Sequence, residues 1–167
     1  MDISKFSNRY SVKRINYIDI DTVLSLCEKN ILFYRYHPPM PSKKSIMEDM
    51  EALPPGKNST DKFYIGFWRH NFLTAVADIV LSYPDSDTAF IGFFMVDIKY
   101  QGRGVGSALI SDIMSQLKEQ GFSRVQLGID KGNPQSESFW IRNGFFKTGK
   151  EFSDGTVFYQ FMERRLI

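Results

Sequence analysis

The stretch Met95–Ile110 reads MVDIKYQGRGVGSALI, and it decides the fold. It places Gly102, Gly104 and Gly106 at alternate positions, between an apolar run and a segment with helical periodicity. Each glycine costs conformational entropy on folding, so three of them at one place need a reason. The first N–H groups of a helix lack partners within the helix and favour an anion, and bare backbone lets a phosphate approach them. We therefore predict a phosphate-binding loop, with a tight strand-to-helix turn that binds nothing as the alternative.

The segments on either side of this loop predict a mixed sheet. Short turns at residues 70–71 and 84–85 join three strand patterns before the loop, which indicates an antiparallel meander. A helix over 104–120 and a strand over 123–130 follow, and they complete one parallel βαβ unit with a right-handed crossover. The predicted fold class is α/β, a single domain over 1–167 with a mostly antiparallel central sheet and helices on both faces. The remaining predicted segments are strands at 10–17, 61–70, 72–84, 87–97, 145–149 and 156–166, and helices at 19–29, 43–53 and 134–142, with 33–42 non-helical because of its prolines.

Composition narrows the class of protein. The chain has 167 residues, 43% of them hydrophobic and 24% charged, with a formal net charge of +2. Such a small charge argues against nucleic acid and anionic membranes as partners. The single cysteine, Cys27, excludes an internal disulfide framework, and no apolar run is long enough for a signal or a membrane span. We expect a soluble cytoplasmic protein.

Known phosphate-binding patterns fit the loop unequally. The Walker pattern requires Gly-Lys-Ser/Thr at its end, which this loop lacks. The dinucleotide pattern requires an acidic residue at the end of the next strand, which has Gln126 instead, while Asp130 lies rather far along. Both patterns are therefore disfavoured. By contrast, Gln101–Gly106 resembles the Q/R-x-x-G-x-G/A signature of the GNAT-type N-acetyltransferase superfamily, and residues 133–145, NPQSESFWIRNGF, resemble that family's second motif. The order of strands and helices is similar to that family over nearly the whole chain. A nucleotide-binding protein that uses the same loop remains a rival interpretation.

The resemblance implies an N-acyltransferase that uses acetyl-CoA as cosubstrate and no metal. Its pyrophosphate would lie on the loop, and its pantetheine arm would bond main-chain groups near Met95 and Val96. Asn133 would reach the arm or instead cap the helix that starts at Pro134, and Trp140 would line the cofactor or belong to the core. The implied cofactor-binding residues are Met95, Val96, Gln101, Gly102, Arg103, Gly104, Val105, Gly106, Ser107, Asn133, Ser136 and Trp140.

Candidate catalytic residues follow from the chemistry of amine acylation, which needs a base. Asp78 lies inside an apolar strand, roughly across from Phe93, where burial would raise its pKa; the alternative is a solvent-facing aspartate. Trp140 stands where the family has a tyrosine acid, and Tyr159 is the remaining candidate acid or a core residue. Without that tyrosine, a catalytically weak or inactive CoA-binding sensor or interaction module is the second hypothesis.

The acceptor side is the least defined by sequence. The loop after the first predicted helix carries Tyr34, Tyr36 and His37, which we expect to line a site for a small-molecule amine or a peptide. The sequence does not identify which amine is the acceptor. A homodimer is a further option, on the expectation that Phe161 and Met162 are exposed near the C-terminus.

Overall fold

The computed structural model describes residues 1–167 and contains a seven-stranded sheet in the order β1-β2-β3-β4-β5-β7-β6. Its strands are β1 Ser11–Arg14, β2 Lys62–Arg69, β3 Phe72–Leu81, β4 Thr88–Val96, β5 Arg124–Asp130, β6 Phe146–Ser153 and β7 Phe158–Arg165. The α-helices are α1 Ile20–Glu28, α2 Ile31–Tyr36, α3 Lys43–Glu51, α4 Val105–Glu119 and α5 Pro134–Arg142, and short 3-10 turns lie at Ile3–Phe6, Tyr17–Asp19 and Ile98–Tyr100. None of the helices combines the length and the apolar character that a membrane crossing requires.

The predicted meander and parallel unit are confirmed. Strands β2, β3 and β4 pair antiparallel in succession, and β4 and β5 form the parallel pair that α4 connects. That parallel pairing runs only from Thr88↔Arg124 to Ile91↔Leu127. Beyond Ile91 the two strands separate, and we call the gap between residues 92–96 and 128–130 the splay. The splay leads directly to the loop that precedes α4.

Helices cover both faces of the sheet, as predicted, because the central strands are apolar on both sides. Along β3 the side chains of Ala75, Ala77 and Ile79 belong to the same buried cluster as the Leu109 and Ile113 side chains of α4. We call this side the α4 face. Val76 alternates with them and packs with residues of α1 and α3, on what we call the α1 face.

One predicted non-helical segment is wrong, since α2 covers residues 33–36. Proline constrains the residue before it and removes its own donor, so Pro38 affects His37 and the residues after it but leaves the preceding turn free. A helix of 6 residues fits between Asn30 and the prolines.

The expected exposed patch near the C-terminus is also wrong. Met162 is 0% exposed and Phe161 is only half-buried rather than open. Strand β7 lies between β5 and β6, so Met162 is part of the α4-face core. These two residues therefore give no support to a dimer.

Candidate functional site

The loop between β4 and α4, residues 101–107, is called the glycine loop below. Gly102 and Gly104 have positive φ angles of 71° and 78°, which side chains of L-residues rarely adopt. A Cβ added at either position would meet no atom within 4 Å. The space above these two glycines is therefore open, and their backbone is accessible.

The start of α4 leaves backbone donors without partners. Gly104 is the N-cap of α4, and no side chain accepts a hydrogen bond from the first turn of the helix. The first backbone hydrogen bond of the helix runs from Ala108 N to Gly104 O at 3.0 Å. The N–H groups of the three residues between them have no acceptor within the helix. Together with the open space and the positive end of the helix dipole, they form a cradle of the kind that binds phosphate. Arg103, exposed and in no ion pair, lies at its edge, as does the exposed Ser107.

Gly106 serves a different purpose from the other two glycines. A Cβ at Gly106 would lie 3.0 Å from the Phe139 ring and 3.4 Å from Val96 Cγ2. The residue thus allows α4 to pack closely against α5 and β4. Packing accounts for Gly106, whereas the positive φ angles of Gly102 and Gly104 fit both a phosphate-binding loop and the tight turn given as its alternative.

The end of β4 directs peptide groups into the splay. Asp97 N donates to Thr74 O at 2.8 Å, so the peptide that joins Val96 to Asp97 points its C=O away from β3. In an antiparallel strand the N–H and C=O of one residue point to the same edge, so the Val96 N–H also faces the splay. The Val96 carbonyl accepts from Gln101 Nε2 at 2.8 Å and from Asn30 Nδ2 at 3.3 Å.

Asn30 is a site residue that sequence reasoning missed. It is 8% exposed, and its Oδ1 accepts from Gln101 Nε2 at 2.6 Å while its Nδ2 donates to Leu26 O at 3.0 Å. The side chain of Gln101 therefore points inward, and the Gln101 N–H bonds Ile98 O at 3.4 Å inside the turn. Gln101 was expected among the cofactor-binding residues, and the structure instead uses both its side chain and its backbone N–H within the protein. A single asparagine after a helix carries no sequence signal for such a link.

The second motif is organised around its helix cap. Asn133 Oδ1 accepts from the N–H groups of Gln135 and Ser136 at 3.1 and 3.2 Å, and its Nδ2 contacts Ser136 Oγ at 3.3 Å. Asn133 is 1% exposed, so its amide is committed to the start of α5. Trp140, 7% exposed, packs edge-on against Phe139 and Phe145 in the core. A contact of these residues with a cofactor remains a prediction.

Asp78 is buried on the α1 face, 8% exposed, and pairs directly with Phe93 in the register of β3 and β4, as expected. Its Oδ2 accepts from Lys62 Nζ at 2.8 Å, and its Oδ1 is buried without a hydrogen-bond partner. Burial raises the pKa of Asp78 to about 6, and Lys62 opposes that rise. The solvent-facing alternative is therefore wrong. The ion pair is new, since Lys62 at the start of a strand pattern gave no sign of pointing inward.

The residues expected at the acceptor site lie on α2 and just after it. Tyr34 and Tyr36 are half-buried, and burial raises the pKa of Tyr34. His37 Nδ1 lies 2.9 Å from Oδ1 of Asp130, the last residue of β5. That hydrogen bond raises the pKa of His37, and partial burial opposes the rise.

Tyr159 lies next to this pair, directly opposite Asp130 in the register of β5 and β7. Its hydroxyl donates to Asp154 Oδ2 at 3.4 Å. Burial and Asp154 raise the pKa of Tyr159 to about 12. The structure thus brings Tyr159 and His37 together, with ring centroids 6.1 Å apart. It keeps Asp78 on a different strand, beside Lys62.

Cys27 is a free, buried cysteine. Cys27 is 1% exposed, and burial raises the pKa of its thiol to about 11, which fits the apolar role predicted for it. Nowhere do three or more His, Cys, Asp or Glu side chains come together in a way that would hold a metal ion.

The chain is similar to known proteins in sequence and in fold. A family model described as "Acetyltransferase (GNAT) family" matches residues 30–145. A mycothiol acetyltransferase from Beutenbergia cavernae is 33% identical over 70 residues, which are 42% of this chain and 24% of that protein. The aligned part thus spans about a quarter of that relative's length.

Solved structures resemble the chain over most of its length. An acetyltransferase from Thermus thermophilus has a TM-score of 0.73 at 17% identity, covering 92% of this chain and 95% of that one. The PaiA N-acetyltransferase from Thermoplasma acidophilum, solved in complex with coenzyme A, has a TM-score of 0.66 at 16% identity, covering 92% and 97%. The ribosomal-protein-S18-alanine N-acetyltransferase from Escherichia coli has a TM-score of 0.65 at 16% identity, covering 93% and 92%. At these identities the likeness establishes the fold alone.

Proposed function

This chain belongs to the acetyltransferase (GNAT) family, and we propose that it transfers an acetyl group from acetyl-CoA to a primary amine. The observation that carries the proposal is the glycine loop. Its two positive-φ glycines have open space above them, and the α4 N-terminus beside them has no side-chain cap. A diphosphate fits both features, because its oxygens can occupy the open space and accept hydrogen bonds from these unpaired N–H groups at the positive end of the helix dipole.

The residues that would hold acetyl-CoA divide into two sets. The N–H groups of Val105, Gly106 and Ser107 would bind the pyrophosphate, and Arg103 would add a charge-assisted contact. The splay would take the pantetheine arm, since β4 beyond Ile91 no longer pairs with β5. When bound, the cosubstrate supplies an acyl thioester that an amine can attack. Met95, Asn133, Ser136 and Trp140 complete the proposed cofactor set.

The chain's own contribution to the chemistry is a preorganised donor near the reacting carbonyl. The Val96 N–H points into the splay, and a fixed backbone donor of this kind is worth about 3 kcal/mol toward the transition state. No strong acid stands beside it. Trp140 has only an indole N–H, and Tyr159 has a pKa raised to about 12. Because a free thiol has a pKa of about 8.5, the thiolate can depart unassisted.

The acceptor site would be formed on the α1 face by α2 and by the turn between β6 and β7. Tyr34, Tyr36 and His37 would line it from α2 and the residue after it, and Asp130, which is bonded to His37, would lie beside them together with Asp154. Names of similar proteins include a mycothiol acetyltransferase and a ribosomal-protein-alanine N-acetyltransferase. Both small amines and a peptide with an N-terminal alanine are therefore suitable test acceptors.

Binding and turnover measured separately test the proposal. Calorimetry with acetyl-CoA, CoA, ATP and NAD should show binding of the two CoA compounds only. Release of the CoA thiol, followed with a thiol reagent, should then rise when spermidine, lysine or the alanyl peptide is added. The reagent is suitable because the chain's single cysteine is 1% exposed. Binding of ATP or NAD in place of CoA would overturn the proposal.

A CoA-binding module without chemistry is the second candidate, and the core position of Trp140 favours it. The indole replaces the family's phenol and packs among aromatic rings, so it offers no acid to the reaction. Tight binding of acetyl-CoA with no thiol release above the buffer rate, for all three acceptors, would select this candidate.

A further inference from the structure

His37 and Asp130 form a hydrogen-bonded pair that joins distant parts of the chain. His37 Nδ1 lies 2.9 Å from Asp130 Oδ1, and 93 positions separate the residues. The side chain of Asp130 is 5% exposed, whereas that of His37 is 37% exposed. A buried carboxylate thus holds one nitrogen of a ring whose other part reaches solvent.

The pair lies at the splay, on the side away from α4. Val125, Leu127 and Ile129 of β5 belong to the α4-face core, so alternation places Asp130 on the α1 face. Asp130 also lies three residues beyond Leu127, where β4 and β5 stop pairing. Phe33, on the same short helix as Tyr36, has its ring 6.1 Å from that of Phe93 and 5.4 Å from that of His37. The histidine therefore stands over the β5 side of the splay, with β4 close by.

The charged groups that raise the pKa of His37 are carboxylates, and a phenol lies beside the ring. Asp130 comes from β5, Asp49 from α3, Asp154 from the turn after β6, and Tyr159 from β7. The two further carboxylates reinforce the effect of Asp130, so the pKa of His37 lies above its ordinary value despite partial burial. These groups also favour an incoming cation.

A primary amine is such a cation, since alkyl ammonium groups have pKa values of about 10.4 and α-amino groups about 8. It must lose a proton before its nitrogen can attack a carbonyl. In the neutral imidazole one nitrogen donates and the other accepts, and a carboxylate partner fixes which one donates. With Nδ1–H donated to Asp130, the lone pair of Nε2 is free to accept a proton.

On the basis of the proposed function, we propose that His37 is the general base that takes this proton and that Asp130 is the positioning residue that orients it. One N–H bond of the ammonium breaks and one Nε2–H bond forms, so the positive charge passes to an imidazolium beside the Asp130 carboxylate. The exposed edge of the ring then releases the proton to water. The freed amine keeps its lone pair for attack.

Asp78 is less suited to this task than sequence alone suggested. Its Oδ2 is held by Lys62, and its Oδ1 is enclosed without a partner. An acceptor would have to displace packed groups to reach either oxygen. His37 needs no such rearrangement.

The chain offers a matched control, because it contains only two histidines. His70 lies in the turn between β2 and β3 with a φ of 55°, where asparagine is well tolerated. The first measurement uses the free protein: NMR titration of the ring protons in wild type, Asp130→Asn and His70→Asn, the last of which assigns the two signals. The pKa of His37 should lie above 6.5 in wild type and fall in Asp130→Asn. A His37 pKa that Asp130→Asn leaves unmoved would overturn the pairing.

The second measurement is kcat/KM against pH, with acetyl-CoA and whichever of spermidine, lysine or an alanyl peptide reacts fastest. At pH 7, His37→Gln should lower kcat/KM by about 10²- to 10⁴-fold while acetyl-CoA affinity is unchanged, and His70→Asn should match wild type. The loss should shrink at high pH, where the amine deprotonates by itself. Asp130→Asn should move the acidic limb of the profile to lower pH, and thermal unfolding checks that each variant is folded.

The outcomes separate this inference from the proposed function. If wild type turns over an acceptor and His37→Gln keeps its rate and pH profile, the base assignment is wrong and the acetyltransferase proposal stands. If wild type binds acetyl-CoA and turns over none of the acceptors, both are wrong.

Discussion

Lys62 Nζ donates to Asp78 Oδ2 at 2.8 Å between neighbouring strands, and the same ammonium also donates to the backbone of α3. Its other acceptors are the carbonyls of Asp49 and Ala52, at 2.7 and 2.8 Å. With three acceptors the ammonium is fully used, and its side chain links the C-terminal end of α3 to β2 and β3. Lys62 therefore both compensates the buried charge of Asp78 and helps to position the end of α3.

Removal of the cation should leave a carboxylate buried without compensation. We expect Lys62→Met to lower the free energy of unfolding by about 3 kcal/mol at pH 7, the scale found when one member of a buried ion pair is lost. The double variant Lys62→Met/Asp78→Leu should recover most of that loss, because no charge then stays in the apolar layer. Urea denaturation measures both. Lys44→Met is the control, since Lys44 is 83% exposed in its pair and should have no measurable effect. Equal losses in the single and double variants would contradict this account.

Asp78 should also make stability depend on pH. Its pKa is raised from 3.8 to about 6 in the folded chain, so the folded state binds this proton more tightly than the unfolded state does. Its contribution to stability is therefore fully present below pH 3.8 and is lost as the pH rises through about 6. Relative to Asp78→Asn, wild type should lose stability between pH 4 and pH 6 and change no further above about pH 7. Urea titrations across that range measure the stability of both proteins. A wild type that gains stability relative to Asp78→Asn as the pH rises would contradict the predicted sign.

The fold was largely predictable because its signals are local. Apolar periodicity, short turns and caps at Ser42 and Gly121 define helices and strands within a few residues of sequence. The register of Asp78 with Phe93 followed from the position of one hairpin turn. Segment 33–36 was predicted wrongly, since the prolines nearby suggested a longer break than their geometry imposes. Two strands also differ from their predicted bounds: β1 ends at Arg14 rather than at 17, and β6 continues to Ser153 rather than ending at 149.

The candidate site could be predicted from sequence only where it depends on backbone conformation. The closely spaced glycines indicate the loop from a few residues of sequence, whereas the side-chain hydrogen bonds of the site join residues far apart in the chain. Asn30 bonds Gln101 across 71 positions, and His37 bonds Asp130 across 93. No spacing rule connects such pairs, because the sheet order brings them together only after folding.

The glycine loop gives a direct prediction on binding. Gly104→Asp places a carboxylate in the open space where a phosphate would lie, and it should weaken CoA binding by about 10- to 1,000-fold through like-charge repulsion. Gly56→Asp is the matched control, since Gly56 has the same φ of 78° and also meets no atom within 4 Å. Both variants should melt at similar temperatures. Calorimetry with CoA decides the matter, and equal affinity in the two variants would remove the loop from the cofactor site.

Asn30 and Gln101 should act as one unit on the end of β4. Asn30→Ala should lower the free energy of unfolding by about 1–3 kcal/mol, because it removes buried hydrogen bonds to Leu26 O and Val96 O. It should also weaken CoA binding, since the inward anchor of the glycine loop is lost. A double-mutant cycle with Gln101→Ala should give a coupling free energy of at least about 0.5 kcal/mol for both stability and CoA affinity. Additive effects would show that the two amides act independently, and exposed Asn71→Ala provides the baseline.

Gly106 should separate packing from binding within the same loop. A valine there would press its Cβ to 3.0 Å from the Phe139 ring and 3.4 Å from Val96, with further methyl groups beyond. We expect Gly106→Val to lower the free energy of unfolding by about 1–3 kcal/mol, the usual cost of overpacking. The second substitution Phe139→Leu should restore part of that stability, because the smaller side chain makes room for the valine. Urea denaturation of the single and double variants tests this, with Gly104→Asp as a variant of the same loop that has no packing clash. Full stability of Gly106→Val would contradict the packing role of this glycine, whatever the variant does to CoA binding.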